Sequence, residues 1–401
     1  MLSLYVISIS ILIISIGLLI FLNYSAALSS SNITEEPNSA PLKYYKCPGK
    51  DINHATKTGL AAAGFVKDMD PETSDLYIPC GYNYIELELA KFNPSSSVKY
   101  IYAIKGCDQL CSKNGLWSAL KLEYGQDTAS SIMPLTWVLN DQDDYKAFQR
   151  YYLQYSQTRP TFILKKNIQG KRGLYITQNR ADIDELHAES GTSGYKVIQR
   201  YVDNPYSIQG YKLNIRLYVV IICNAGCVDW YLYNRGKCIY TNKVYDPVIS
   251  LQESNLDDRE QHFTSYNLNT AEKYIEMGLP ESLDDLERHM GSAEYQKVWS
   301  GIITRIAKIK ACFAGRLCLL ESLADKICFQ LFGVDVIMDE DMNPLILEFN
   351  KGPEMVYKSP GDRELKNNLI INMLAMVMNK KGVTDAGFTI IQDEEPWMLA
   401  H

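Results

Sequence analysis

The chain has 401 residues, 46% hydrophobic and 22% charged, which is enough apolar material for a sizeable core and too much chain for one ordinary domain. With 40 Lys and Arg against 47 Asp and Glu, the formal net charge is -7; this excludes a broad nucleic-acid-binding surface and gives no overall attraction for an acidic protein tail. Any anionic substrate must be held by local cationic groups.

Residues 2–22 form an uncharged, Leu- and Ile-rich run, long enough to cross the hydrocarbon core as one helix. No Lys or Arg precedes it, unlike the cationic start of a signal peptide, so an uncleaved single-pass anchor is expected over residues 1–24. Lys43, Lys46 and Lys50 on its C-terminal flank lean towards a cytosolic catalytic part, whereas ten cysteines lean towards an oxidising lumen, and topology stays open. Asn23-Tyr-Ser25 and Asn32-Ile-Thr34 match the N-glycosylation pattern. Residues 25–43 read as a linker. An N-terminal α/β lobe follows over 44–156, with strands at 84–89, 98–104 and 135–139 and helices at 116–122 and 141–155. In the region 157–380, strands are expected near 161–165, 173–177, 196–202, 213–223 and 230–233. Residues 283–326 read as helical, with Ile302, Ile303, Ile306 and Ile309 in 3- and 4-residue steps. Residues 365–378 form an amphipathic helix and 381–401 a tail. The close pairs Cys107/Cys111 and Cys223/Cys227 lack zinc-ribbon spacing, so a metal cage is not expected.

Chemistry concentrates in a few segments. Residues 329–338 and 345–349 are apolar runs flanking turn residues, a predicted hairpin that carries Asp335 and Glu348 opposite each other, with Asn350 just beyond. Acids inside apolar strands are costly without a partner. Two carboxylates and an amide oxygen suit Mg²⁺, which takes hard oxygen ligands together with substrate phosphates. Lys165-Lys166-Asn-Ile-Gln169-Gly170-Lys171-Arg172-Gly173 joins a cationic strand end to a glycine-containing loop that can fold over phosphates. It is not a P-loop, because the Gly-Lys-Ser/Thr spacing is missing. Lys196-Val-Ile-Gln199-Arg200-Tyr201 is a strand running into a Pro turn, and Lys212-Leu-Asn214-Ile-Arg216 puts two cations and an amide on one strand face at period two. No Ser/His/Asp or Cys/His set stands out.

Taken in order, Ile132-Met-Pro-Leu-Thr136, the hairpin of residues 165–173, Val197-Ile-Gln-Arg-Tyr201, Lys212-Leu-Asn-Ile-Arg216, His262-Phe-Thr264 and Phe332-Gly-Val-Asp335 with Leu347-Glu348-Phe-Asn350 resemble the tubulin tyrosine ligase-like family of ATP-grasp amino-acid ligases, over residues 113–378. The resemblance implies an α/β ATP-grasp fold of two lobes with mixed and antiparallel sheets, with nucleotide between the lobes. It implies that Lys165, Lys166, Gln169, Gly170, Gly173, Gln199, Arg200, Tyr201, Lys212, Arg216 and Thr264 bind ATP. Asp335, Glu348 and Asn350 would hold Mg²⁺, and Arg216, Lys212 and Glu348 would serve the reaction. Four places depart from the family pattern: Asn214 stands where Asp is usual, Ser265 where Asn follows the Thr, Ile239 where Arg is expected, with Arg235 or Lys237 as substitutes, and Lys165-Lys166 lacks the more usual Lys-Pro.

The expected activity is ATP-dependent ligation of an amino acid, glutamate first, to a carboxylate of a protein acceptor, tubulin-like or otherwise acidic, through an acyl phosphate. The competing expectation, motivated by Ile239, is a membrane-tethered scaffold that binds nucleotide or a tubulin-like partner without turnover.

Overall fold

The computed structural model describes residues 40–49, 51–168, 173–189, 194–247, 260–264 and 268–393. The expected anchor at residues 2–22 and both glycosylation triplets lie outside them; among the described residues no helix is long and apolar enough to cross a membrane. The fold is mixed α/β, with two sheets of mixed and antiparallel pairing.

Strands β1 (Leu42–Lys46), β2 (Phe65–Asp68), β3 (Leu76–Ile78) and β4 (Tyr100–Ile101) pair in parallel, connected through helices α1 (His54–Ala62) and α2 (Ile85–Lys91). Helices α3 (Cys107–Cys111) and α4 (Lys113–Ile132) lead to a four-stranded antiparallel sheet in the order β5 (Thr136–Val138), β8 (Tyr195–Arg200), β6 (Phe162–Lys166), β7 (Leu174–Thr177). Helices α5 (Gln142–Tyr155) and α6 (Arg180–Ala188) belong to the same part of the chain, and Asp141 starts α5 by accepting from the backbone N–H groups of Asp143 and Asp144. The chain then builds β9 (Ser207–Ile208), β10 (Tyr211–Asn224), β11 (Cys227–Tyr233) and β12 (Lys237–Tyr240). It passes through α7 (Leu268–Glu276), α8 (Leu283–Met290) and α9 (Ser292–Cys312) to β13 (Ile327–Met338), β14 (Pro344–Asn350), α10 (Pro360–Val377) and β15 (Phe388–Ile390). These strands join β1–β4 in one large sheet through the parallel β4–β13 pair. Residues 44–156 thus divide between the two sheets.

The fourteen-residue β10 is buried on both faces. Leu213, Ile215, Leu217, Val219 and Ile221 enter one core cluster, and Tyr218 and Val220 enter the other. The second cluster lies under α1 and α10, which approach so closely that a Cβ on Gly59 would sit 2.3 Å from the Ile370 side chain. At period two, Lys212, Asn214 and Arg216 continue the face of Tyr218 and Val220. One face of one strand is therefore core at its end and polar at its start.

Three sequence expectations are corrected. Residues 84–89 are not a strand: the alternation Ile-Glu-Leu-Glu-Leu imitates period two, but Ile85 and Leu89, one helical turn apart, are the buried pair, while Leu87 is exposed. Glu86 and Glu88 in the first turn and Lys91 in the last suit the helix dipole. Of residues 98–104 only Tyr100–Ile101 pair as strand. The helical stretch ends at Cys312, after which residues 313–326 are irregular apart from the short turn Glu321–Leu323.

Candidate active site

The site is built on the β13–β14 hairpin. Asp335 pairs with Glu348 in register, and Gly333 with Asn350, but between Asp335 and Val336 the register slips so that Val336 faces Ile346. Leu347 is the extra residue of this bulge, and such a bulge re-aims side chains. Ile346 and Phe349 both enter the core with Val334 and Val336, which leaves Glu348 and Asn350 on the face of Asp335. There the Asn350 amide donates to Asp335 Oδ2 at 3.2 Å and to Glu348 Oε1 at 3.1 Å.

Cations flank these acids. Arg216 is the register partner of Asp335 across β10 and β13, and it donates from Nε to Oδ1 at 2.6 Å and from Nη2 to Oδ2 at 3.0 Å, a two-point grip only a guanidinium offers. Lys113, at the start of α4, sits 3.0 Å from Glu348 Oε2. Burial alone would raise the Glu348 carboxyl, but Lys113 and Lys165 outweigh it and hold the group down at about 2. Burial pushes Asp335 up against the pull of Arg216, with the neighbouring Glu348 charge adding to the rise. On the far side of Arg216, Lys237 is its register partner in β12. One row across four strands therefore reads Lys237, Arg216, Asp335, Glu348. Lys237 is buried against Asp362, which Lys366 also holds, whereas Arg235 is half exposed and 3.8 Å from the exposed Glu364. Of the two substitutes for Ile239, only Lys237 belongs to the site face.

Across the cleft, the small sheet turns Phe162 and Leu164 into its own core and Ile163 and Lys165 towards the site. Lys165 is buried within reach of the Glu348 and Asp335 charges but forms no ion pair among the described residues; burial, aided by Lys113, lowers its ammonium to about 8. Lys212 donates to the Tyr201 hydroxyl at 2.8 Å and lies 4.3 Å from that ring's centre. Burial, then Lys165, lowers it to about 7. Tyr201 meets His262 Nδ1 at 3.1 Å, and with Ile163, Phe263, Leu174, Ile176 and Tyr245 it makes a small apolar patch. Thr264 bridges Thr241 and accepts from Asn214 Nδ2 at 3.1 Å. The Asn214 Oδ1 and the Tyr218 hydroxyl are buried without a hydrogen-bond partner among the described residues.

The structure thus gathers Lys165, Tyr201, Lys212, Arg216, Thr264, Asp335, Glu348 and Asn350. Other expected residues are engaged elsewhere. Gln199 is buried and donates to Thr136 at 2.8 Å and Pro134 O at 3.3 Å; Arg200 braces the turn through Thr161 O and Asp203. Lys166 lies over the Tyr195 ring, 4.6 Å from its centre, and Gly173 packs against Ile168. Gln169, Gly170 and Ser265 lie outside the described residues. Sequence reasoning missed Lys113, a lone lysine heading a helix, whose only signal is its place at the first residue of the family resemblance.

The donor set fits a hard divalent cation, since it is all oxygen and two of its members are carboxylates. Asp335, Glu348 and Asn350 are the residues that would hold it. The fit to an anionic nucleotide rests on two buried ammoniums, Lys165 and Lys212, that have no carboxylate partner among the described residues.

The profile of the tubulin-tyrosine ligase family matches residues 93–385. Among curated proteins, the tubulin polyglutamylase ttll6 of Danio rerio is 28% identical over 296 residues, covering 68% of this chain and 35% of that protein. The probable beta-tubulin polyglutamylase of Tetrahymena thermophila is 26% identical over 331 residues, covering 77% and 26%, and the human tubulin polyglutamylase TTLL7 is 23% identical over 334 residues, covering 78% and 36%. The chain spans about a third of the length of these relatives.

Proposed function

The chain belongs to the tubulin-tyrosine ligase family, and on that premise we propose that it is an ATP- and Mg²⁺-dependent ligase of the ATP-grasp type, attaching glutamate to a glutamyl side chain of an acidic protein acceptor. The relatives named for tubulin make a tubulin tail the acceptor to test first. We extend the proposal to a tether through residues 2–22.

The reaction runs in two balanced steps. An acceptor carboxylate oxygen attacks the terminal phosphorus of ATP, and the bond to ADP breaks. The amine of free glutamate then attacks the acyl carbon of the resulting acyl phosphate; inorganic phosphate leaves, an amide forms and the amine loses its proton. The bound cation would supply neutralisation of the developing phosphoryl charge, and Asp335, Glu348 and Asn350 would hold it. Lys165 and Lys212 would take nucleotide phosphates in place of the water from which burial has removed them. Arg216, gripped by Asp335, is aimed at the same point as the carboxylates, so its charge is in place before transfer and needs no reorganisation. The apolar patch of Ile163, Tyr201 and Phe263 suits the flat face of a base.

The observation that carries this reading is the convergence of Asp335, Glu348 and Asn350 on one hairpin face, opposite Arg216 and beside two unpaired buried lysines. The scaffold reading is favoured by one observation, the uncharged, buried Ile239 opposite Asn214 on the site face. Full-length protein incubated with Mg-ATP, each amino acid and tubulin or acidic polypeptides decides between them. ADP release with a matching mass gain on the acceptor, abolished by Glu348→Gln, supports the ligase. Nucleotide binding with no transfer to any acceptor leaves the scaffold.

A further inference from the structure

All ten cysteines lie among the described residues, and four of them meet in two pairs drawn from distant parts of the chain. Cys47 and Cys80, 33 residues apart, lie where β1 and the segment after β3 leave the sheet, with Cα atoms 4.6 Å apart. Cys223, near the end of β10, and Cys318, in the irregular segment after α9, are separated by 95 residues and have Cα atoms 6.1 Å apart. Both separations fall within the roughly 4.4–6.8 Å that a disulfide spans, and both pairs are bonded.

Each pair sits where a cross-link has something to hold. Lys46 Nζ donates to the carbonyls of Cys47 and Cys80 at 2.7 and 3.2 Å, and the Glu88 carboxylate accepts from Cys80 N at 3.0 Å. The bridge is thus nested in polar contacts that set the path of the chain into Tyr82. That ring packs on Gly352, where an added Cβ would come within 2.6 Å of it, two residues past Asn350. Cys318 has a φ of 66°, in the left-handed region where glycine is favoured, so the position holds a cysteine against its backbone preference. Its partner Cys223 closes the strand that presents Lys212, Asn214 and Arg216. Of the remaining six, only Cys227 is exposed, so the thiols left free are shielded in the way a structural set is, not displayed as a reactive one.

Stable disulfides between distant segments form and persist in oxidising compartments. We propose that the folded part of this protein matures and works on the oxidising side of a membrane, its fold cross-linked by the Cys47–Cys80 and Cys223–Cys318 bridges. This reverses the cytosolic lean of the Lys43, Lys46 and Lys50 flank. Resting on the ligase reading, it adds that the acidic acceptor is an extracytosolic or secreted polypeptide.

The test is thiol trapping of the full chain expressed in eukaryotic cells, alkylated during lysis without reductant and read by intact mass and peptide mapping. Six alkylated cysteines, ten after reduction, and cross-linked peptides joining 47 to 80 and 223 to 318 are expected, together with a melting temperature about 5 °C or more lower in reductant. Ten alkylated thiols in the unreduced sample overturn the proposal. So does a zinc ion released by chelator with the thiols of Cys47 and Cys80, whose ligand atoms lie within 4.8 Å of one another and of Glu88. These readouts do not depend on turnover, so they stand or fall separately from the ligase reading. For the acceptor, labelled glutamate recovered on proteins of the lumenal and secreted fractions is expected; label confined to cytosolic proteins overturns that clause.

Discussion

The cleft holds its buried charges in two opposite ways, as a balanced row and as an unbalanced pair. On the large sheet every charge in the row has a partner: Arg216 grips Asp335, Lys113 meets Glu348, and Lys237 shares Asp362 with Lys366. Lys165 on the small sheet and Lys212, four residues before Arg216 on β10, are instead buried with no carboxylate in contact among the described residues, and their ammoniums are pushed down to about 8 and about 7. The first arrangement is balanced before any ligand arrives. The second would be balanced by an anion, so the protein carries an energetic cost at Lys165 and Lys212 that an anionic ligand would remove.

The largest expected effects come from breaking the balanced row. Glu348→Gln should lower ATP-dependent turnover by about 1000-fold or more, measured as ADP release, with the smaller change in melting because Lys113 meets Glu348 at one point whereas Arg216 holds Asp335 at two. Asp335→Asn should abolish turnover equally and also destabilise the fold by about 3–5 kcal/mol, since it leaves a buried guanidinium unpaired. Equal melting curves for the two variants would contradict the pairing described here.

At the unbalanced lysines the sign reverses. Lys212→Met should weaken nucleotide binding by about 10- to 100-fold, the worth of one charge-assisted contact, while the unliganded protein becomes more stable by about 1 kcal/mol because a buried unpaired charge is gone. Calorimetric titration and thermal melting of the same sample read both. A loss of unliganded stability would mean that the hydrogen bond to Tyr201 and the contact with its ring outweigh the cost of burying the charge.

The same asymmetry sets the pH response. In the unfolded chain these lysines keep their protons to about pH 10.4, whereas the folded pair releases them near pH 7 to 8. Between those limits the unfolded state binds more protons, so stability of the unliganded protein should rise with pH from about 7 towards 10 through these two groups. Nucleotide favours the protonated lysines, so its affinity should fall as pH rises through 7 to 8, and binding at pH 8 should take up protons, seen as a buffer-dependent heat. The smallest effect is expected at Lys237→Met, within about 1 kcal/mol on melting, because Lys366 continues to hold Asp362.

Much of the site on the large sheet was legible in the amino-acid order. Asp335, Glu348 and Asn350 stand in one hairpin, and Lys212, Asn214 and Arg216 recur every second residue, so their common face follows from strand geometry alone. The small sheet was less legible: Gln199 and Arg200 share a segment with Tyr201, yet only Tyr201 turns to Lys212, because the first two are held by Thr136, Pro134, Thr161 and Asp203. Residues 84–89 misled because a charged helix whose buried pair is Ile85 and Leu89 also alternates apolar and polar.

By itself, then, the sequence determined the local devices: an acidic hairpin, a cationic strand face and a family resemblance carried by six motifs in order. Only the tertiary structure decided who neutralises whom. Arg216 reaches Asp335 across 119 residues of chain, Lys113 reaches Glu348 from the head of a helix, and Cys223 meets Cys318 across 95. Periodicity is a property of neighbouring residues, whereas charge pairing and burial depend on which distant segments pack together, and nothing in local spacing specifies that.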